Sequence, residues 1–213
     1  MTKTLYHYVH CPFCVRVRLT AGLLNVTYKS VVVAYDDTET PVNLIGKKML
    51  PIMEIEGKNI SESLDIMDAL DTNNFLNLKS LRNSEDFKEL ENFLPKISNL
   101  IHSLAMPYWV YTQEFTESSR IYFVKQKEAK RGPFKELVKN RSLFETSLLE
   151  MLSQLELKPF YKSTEFTALD ILLASQIWGM YVVPEFQFPP KVHEYLQSVK
   201  KKCQFNYHED FWK

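Results

Sequence analysis

A short aromatic and apolar run from Leu5 to Val9, and a run rich in β-branched residues from Thr27 to Val33, each predict a strand. Between them Val15, Leu19 and Leu23 recur at the i, i+4 spacing of a buried helical face, so the intervening stretch to Leu24 predicts a helix. Strand, helix, strand is a unit with a parallel crossover. The chain then turns through Asp36 to Pro41 into a short helix that Gly46 ends. Next, Pro51 to Ile55 and Lys58 to Ile60 predict a hairpin around Glu56-Gly57. Ser61-Glu62-Ser63 opens a helix through about Leu70, with Leu64, Ile66, Met67 and Leu70 as its apolar positions.

From Asn73 to Asn83 the composition turns to Asn, Lys and Ser without clear period, which predicts a linker. Beyond it helical patterns dominate, near 84–105, 116–130, 134–155, 167–183 and 189–202. No strand pattern of comparable strength occurs there. The sharpest local signal is Phe166 to Ile171: Thr167 caps a helix, Asp170 returns the bond three residues on, and Phe166 packs on Ile171. The expected organisation is an α/β unit over 1–72, a linker over 73–83 and an all-helical unit over 84–213.

Composition narrows the function classes. Across 213 residues Lys plus Arg equals Asp plus Glu at 26 each, so no global field draws in nucleic acid or an anionic membrane. The longest uncharged run, Ile171 to Pro184, is shorter than the roughly 20 apolar residues a bilayer span needs and reads as a buried helix. The first residues hold no apolar core of a secretory signal, so a cytoplasmic location is expected. With three cysteines, a disulfide-stapled framework is not expected. Neither is a dimer, since no heptad or apolar repeat demands one.

Two of those cysteines form Cys11-Pro12-Phe13-Cys14, on the predicted strand-to-helix turn. Cys11 falls near the N-cap, Pro12 at the first helical position and Cys14 one turn in. Unpartnered backbone N–H groups and the helix dipole at that end favour thiolate over thiol. A cysteine so placed titrates at roughly 3.5–7.5 rather than about 8.5, which makes Cys11 the candidate nucleophile and Cys14 the thiol that attacks a mixed disulfide formed on it. For His10, Arg16 and Arg18 a solvated role stands level with one of biasing Cys11. A zinc module is not expected, because only Cys203 joins the pair and His7 and His10 have no reason to converge with both sulfurs. A purely structural motif is the remaining bland reading.

Elsewhere, the N-terminus of the Ser63 helix is a natural carboxylate site, and Pro51 requires a sheet edge, a bulge or a special turn; an edge leaves Leu50 free to pair with a peptide. The basic stretch Lys125 to Arg141 reads foremost as a solvated helical surface, with anion binding as the lesser reading. Cys203 reads as a spectator thiol. Phe205, Tyr207, Phe211 and Trp212 are candidates to dock back on the helical unit.

These features together resemble the glutaredoxin 2 family, the long bacterial glutaredoxins with a glutathione transferase-like architecture. The resemblance rests on Cys11-Pro12-Phe13-Cys14 after an N-terminal strand, Glu39-Thr40-Pro41, Gly46-Lys47-Lys48 before Leu50-Pro51, Glu62-Ser63-Leu64-Asp65-Ile66, Tyr122-Phe123-Val124 and Lys127-Glu128-Ala129. It implies a thioredoxin-like N-terminal domain, an all-helical C-terminal domain, and reduction of protein disulfides and glutathione mixed disulfides. Glutathione is then a co-substrate, and no bound cofactor or metal is expected. By position, Cys11 is the nucleophile, Cys14 its partner, and Pro51 the cis-proline, with the main chain of Leu50 meeting the cysteinyl part of glutathione. Glu62 and Ser63 hold the γ-glutamyl group, and Phe13 stands beside the sulfur where the family often has tyrosine. A glutathione transferase or dehydroascorbate reductase, and a non-catalytic binding module, are the alternatives on the same fold.

Overall fold

The computed structural model describes residues 2–206, and within them the two-part pattern is present. β1 (Lys3–His7), α1 (Pro12–Leu23) and β2 (Lys29–Val32) form the crossover, with β1 and β2 parallel. After α2 (Glu39–Ile45), β3 (Ile52–Ile55) and β4 (Lys58–Ser61) complete a four-stranded sheet of order β2-β1-β3-β4, whose last two pairings are antiparallel. Gly46 ends α2 with φ 75°, the left-handed conformation that glycine adopts without steric cost. The hairpin turns on Glu56 and Gly57, with φ of 52° and 76°.

Pro51 is not on an edge, because β3 lies inside the sheet. It occupies a special turn instead: the Leu50–Pro51 peptide is cis and the ladder begins only at Ile52. The missing N–H of proline therefore falls where no ladder bond is required.

α3 (Ser63–Leu70) packs on α1, and a short α4 (Leu78–Leu81) follows within the stretch that reads as a linker. Asp71 organises that stretch, its carboxylate accepting the backbone N–H groups of Phe75 and Leu76 at 2.8 and 2.6 Å. Leu76 and Leu78 are thereby buried.

The helical half comprises α5 (Glu85–Trp109), α6 (Glu117–Arg131), α7 (Phe134–Lys139), α8 (Arg141–Ser153), α9 (Ala168–Ile177) and α10 (Pro190–Lys202). Two departures from the periodicity have local causes. The helix expected over 134–155 breaks at Asn140, whose side-chain amide donates to the Glu136 carbonyl at 2.9 Å and so competes for helical acceptors. The pattern expected through 183 tightens at Trp178 into a 3-10 turn, Trp178–Val182, where Gly179 lies against the Trp109 ring. Thr167 and Asp170 form the reciprocal cap of α9, every residue of which is buried.

One helix serves two cores. Val17 and Ala21 of α1 join Leu5, Met53, Ile66 and Leu70 on the sheet side, whereas Val15 and Leu19 join the helical half. Gly22 completes the second contact, since the end of α10 closes directly over it. Phe205 docks as well, edge-on to Trp178 with the Arg18 guanidinium 4.9 Å from its ring centre. Tyr207, Phe211 and Trp212 lie outside the described residues.

A methyl group on Gly22 would stand 1.8 Å from the Cys203 carbonyl oxygen, closer than any backbone shift of ordinary size relieves. Gly22→Ala is expected to lower stability by roughly 1–3 kcal/mol, the usual range for overpacking. Urea unfolding checks this; an unchanged midpoint contradicts the close approach of α1 and α10.

Candidate active site

β1 delivers the chain through Tyr8-Val9-His10 to Cys11, which caps α1 in an extended conformation (φ −69°, ψ 122°) with Pro12 in the first turn. No side chain caps this helix, so its first backbone N–H groups are turned toward the Cys11 sulfur. Cys11 is half-buried, Cys14 is fully buried, and Phe13 stands out at 48% exposure. The Tyr8 N–H donates to Cys14 Sγ at 3.4 Å and fixes that side chain beneath the turn.

The two sulfurs are unlike. The Cys14 thiol donates to Cys11, which is the largest influence on it; the backbone N–H groups of Cys14 and Phe13 and the Arg16 charge add to this. Burial opposes them, and the Cys11 thiol settles at about 7, below the ordinary range. Burial and the neighbouring Cys11 hold Cys14 protonated, well above that range. Of the two, the half-buried Cys11 is thus the sulfur that ionises near neutral pH, while Cys14 stays protonated.

His10 and Arg16 are not solvated. His10 is buried, stacked on Trp109 and Phe115 at centroid distances of 5.2 and 6.2 Å, with Nε2 2.8 Å from Thr112 Oγ1 and in contact with the Glu114 carboxylate. Arg16 is 8% exposed, its guanidinium 4.7 Å from the centre of the Phe13 ring. His7 is buried apart from these, 2.8 Å from Ser30 Oγ. Among the described residues no cluster of three His, Cys, Asp or Glu side chains is placed to hold a metal.

Cys11 opens onto a cleft of about 480 Å³, within the range that holds small ligands. Phe13, Tyr8, Tyr35 and Leu50 line one wall; α5 contributes His102 and Trp109, and α6 contributes Tyr122, Gln126, Lys127 and Lys130 to the other. Stacked rings join the walls, Tyr8 on Tyr35 at 4.1 Å and Tyr35 on Phe115 at 4.8 Å. Lys48 bridges them, donating to the Tyr35 carbonyl at 2.7 Å and the Tyr122 hydroxyl at 3.1 Å.

Glu62 and Ser63 do not line this cavity. Sheet register nevertheless brings them to the same end of the fold. Ile52 pairs with both Tyr6 and Ser61, so the chain leaving β4 at Glu62 lies beside the Leu50–Pro51 turn and the exit of β1 toward Cys11. Glu62 has φ 73°, uncommon for a residue with a side chain, and its exposed carboxylate is 3.7 Å from Lys47 Nζ. Strained backbone of this kind clusters at ligand clamps.

Reading the sequence by motif missed the α5 and α6 wall. A signal was there, because Tyr122, Gln126 and Lys130 recur at the i, i+4 spacing of one helical face.

Comparison with known proteins follows this division. Residues 5–77 match the family profile for the N-terminal domain of glutathione S-transferase, and residues 89–211 match the profile for the C-terminal domain of glutaredoxin 2. Glutaredoxin 2 of Escherichia coli K12 is 30% identical over 209 residues, spanning 95% of this chain and 96% of that protein. The crystal structure of glutaredoxin 2 from Salmonella typhimurium in complex with glutathione superposes with TM-score 0.85 at 28% identity, covering 97% of each chain. A glutathione S-transferase of Ceriporiopsis subvermispora superposes with TM-score 0.75 at 16% identity over 96% of this chain and 98% of that one, a likeness of fold.

Because the Cys14 thiol is the leading donor to Cys11, removing it raises the Cys11 pKa. Iodoacetamide alkylation of Cys11 is expected to reach half its limiting rate near pH 7 in the parent, as the lowered thiol dictates. In Cys14→Ala the midpoint moves upward. A parent midpoint in the ordinary thiol range contradicts the assignment, and so does a midpoint that Cys14→Ala leaves in place.

Proposed function

The chain belongs to the glutaredoxin 2 family, and from that premise we propose that it reduces glutathione mixed disulfides and protein disulfides with glutathione as electron donor. The observation that carries this reading is the ionised, half-buried sulfur of Cys11 at the head of α1, open to the cleft, above a protonated and sealed Cys14.

In the proposed cycle the Cys11 thiolate attacks the glutathione sulfur of a protein–glutathione mixed disulfide. The old S–S bond breaks, a Cys11–glutathione disulfide forms, and the protein leaves as thiolate to take a proton from solvent. A second glutathione thiolate attacks that adduct, releasing glutathione disulfide and restoring the Cys11 thiolate. One free glutathione thus reduces each mixed disulfide, and the glutathionyl half of the substrate ends in glutathione disulfide. With a protein disulfide, Cys11 first forms a mixed disulfide with the protein. Cys14 then loses its proton and displaces the second protein sulfur, leaving a Cys11–Cys14 disulfide for two glutathiones to reduce.

The remaining roles follow the register of the sheet end. The main chain of Leu50, outside the ladder and preceding cis Pro51, meets the cysteinyl part of glutathione. Glu62 and Ser63, at the start of α3, hold its γ-glutamyl group, the carboxylate at the helix N-terminus and the amine at the Glu62 carboxylate. Phe13 covers the sulfur with an apolar ring.

Cys11→Ser is expected to abolish glutathione-coupled disulfide reduction, while Cys14→Ser retains part of the turnover on mixed disulfides because the first cycle needs one sulfur only. Coupled NADPH oxidation through glutathione reductase measures both. Full turnover in Cys11→Ser contradicts the proposal. Conjugation of an aromatic electrophile in place of disulfide reduction would assign the chain to the transferase chemistry of the same fold.

A further inference from the structure

The basic stretch that begins at Lys125 does not behave as one solvated surface. Lys125 is exposed outside the cleft, Arg131 is committed to α5 through Asn99 and Ser103, and Lys127 and Lys130 turn into the cleft that holds Cys11. Neither lysine makes an ion pair among the described residues. The intervening Glu128 does not neutralise them, because its carboxylate accepts the Phe134 N–H at 2.7 Å and lines a different groove. No carboxylate lines the cleft among the described residues. In a chain with 26 cations and 26 anions, this wall carries two ammonium groups that no carboxylate of the cleft offsets.

The wall also stands in a definite place. Leu50, Glu62 and Ser63 belong to the end of the sheet, so on the function proposed above the glutathione half of a mixed disulfide lies against that side. The other half, the protein that is to leave, then faces α6. Burial, and next the charge of Lys130, lowers the Lys127 ammonium, while the Cys11 charge pulls it back up, which places Lys127 within electrostatic reach of the reacting sulfur.

We propose that Lys127 and Lys130 make this protein selective for glutathionylated protein cysteines flanked by Asp or Glu. The chemistry favours such substrates for two reasons. Acidic neighbours raise the pKa of the departing thiol and so slow its departure, and two ammonium groups beside it offset that handicap as negative charge develops. The same ammonium groups attract the acidic side chains during encounter.

The test rests on the proposed disulfide reduction and compares synthetic glutathionylated peptides whose cysteine is flanked by two Glu or by two Lys. Wild type is expected to favour the Glu peptide in kcat/KM by at least about fivefold at low ionic strength, the scale of two exposed ion pairs, with the preference shrinking as salt is added. K127E/K130E is expected to bring the ratio of the two below one, and K130E alone, at an exposed position, to lower it part of the way. K125E leaves the ratio in place. Because each value is a ratio within one protein, general loss of activity cancels.

A ratio that K127E/K130E does not move overturns the inference. So does a double variant altered only in the glutathione concentration required, which assigns the lysines to the co-substrate. A small neutral disulfide separates the two levels: its turnover without charge preference between peptides overturns the lysine assignment alone, and absence of turnover on every disulfide overturns the proposed function with it.

Discussion

A hydrogen bond between two sulfurs is the interaction on which the site depends. The Cys14 thiol donates to Cys11, and in doing so makes two chemically identical side chains into a sulfur that ionises near neutral pH and a protonated reserve. That inequality requires Cys14 to be sealed and held while Cys11 meets the cleft. α1 satisfies both conditions because it is buried on two sides, against the sheet and against the helical half, leaving its N-terminal end as the accessible part. A helix with a single buried face would leave Cys14 wet and the two thiols nearly alike.

The cleft exists only where the two halves meet. Its floor is tied by His10, which precedes Cys11 and reaches Thr112 and Glu114 beyond α5, and its side by the Tyr8, Tyr35 and Phe115 stack. Burial holds the His10 imidazole below its ordinary range against the pull of Glu114. The loop carrying Cys11 is therefore positioned by the helical half as well as by its own strand. The helical half thus acts as more than a wall beside the site, since it fixes where the sulfur points and supplies the lysines that face it.

Much of this was legible in the sequence. The crossover, the hairpin at Glu56-Gly57, the Gly46 stop and the Thr167–Asp170 cap all follow from local rules, because period and turn chemistry act over a few residues. The placement of Cys11 at a helix N-cap came from the same rules and from Pro12. What stayed hidden depends on partners distant in sequence. His10 cannot be known to be buried without Trp109, Thr112 and Glu114, and a lysine's facing cannot be read until α6 is seen to lie across the cleft from Cys11. The helix break at Asn140 turned on one side chain bonding its own backbone, a competition that apolar spacing does not report.

In the proposed chemistry Cys11 is the sulfur that takes up glutathione. The most direct measurement is peptide mapping by mass spectrometry after the reduced Cys14→Ser protein, whose serine hydroxyl still offers a donor, is mixed with glutathione disulfide at neutral pH. The predicted result is one glutathione per chain, carried on the peptide that contains Cys11. An adduct on Cys203 with Cys11 unmodified, or no adduct at all, would contradict it.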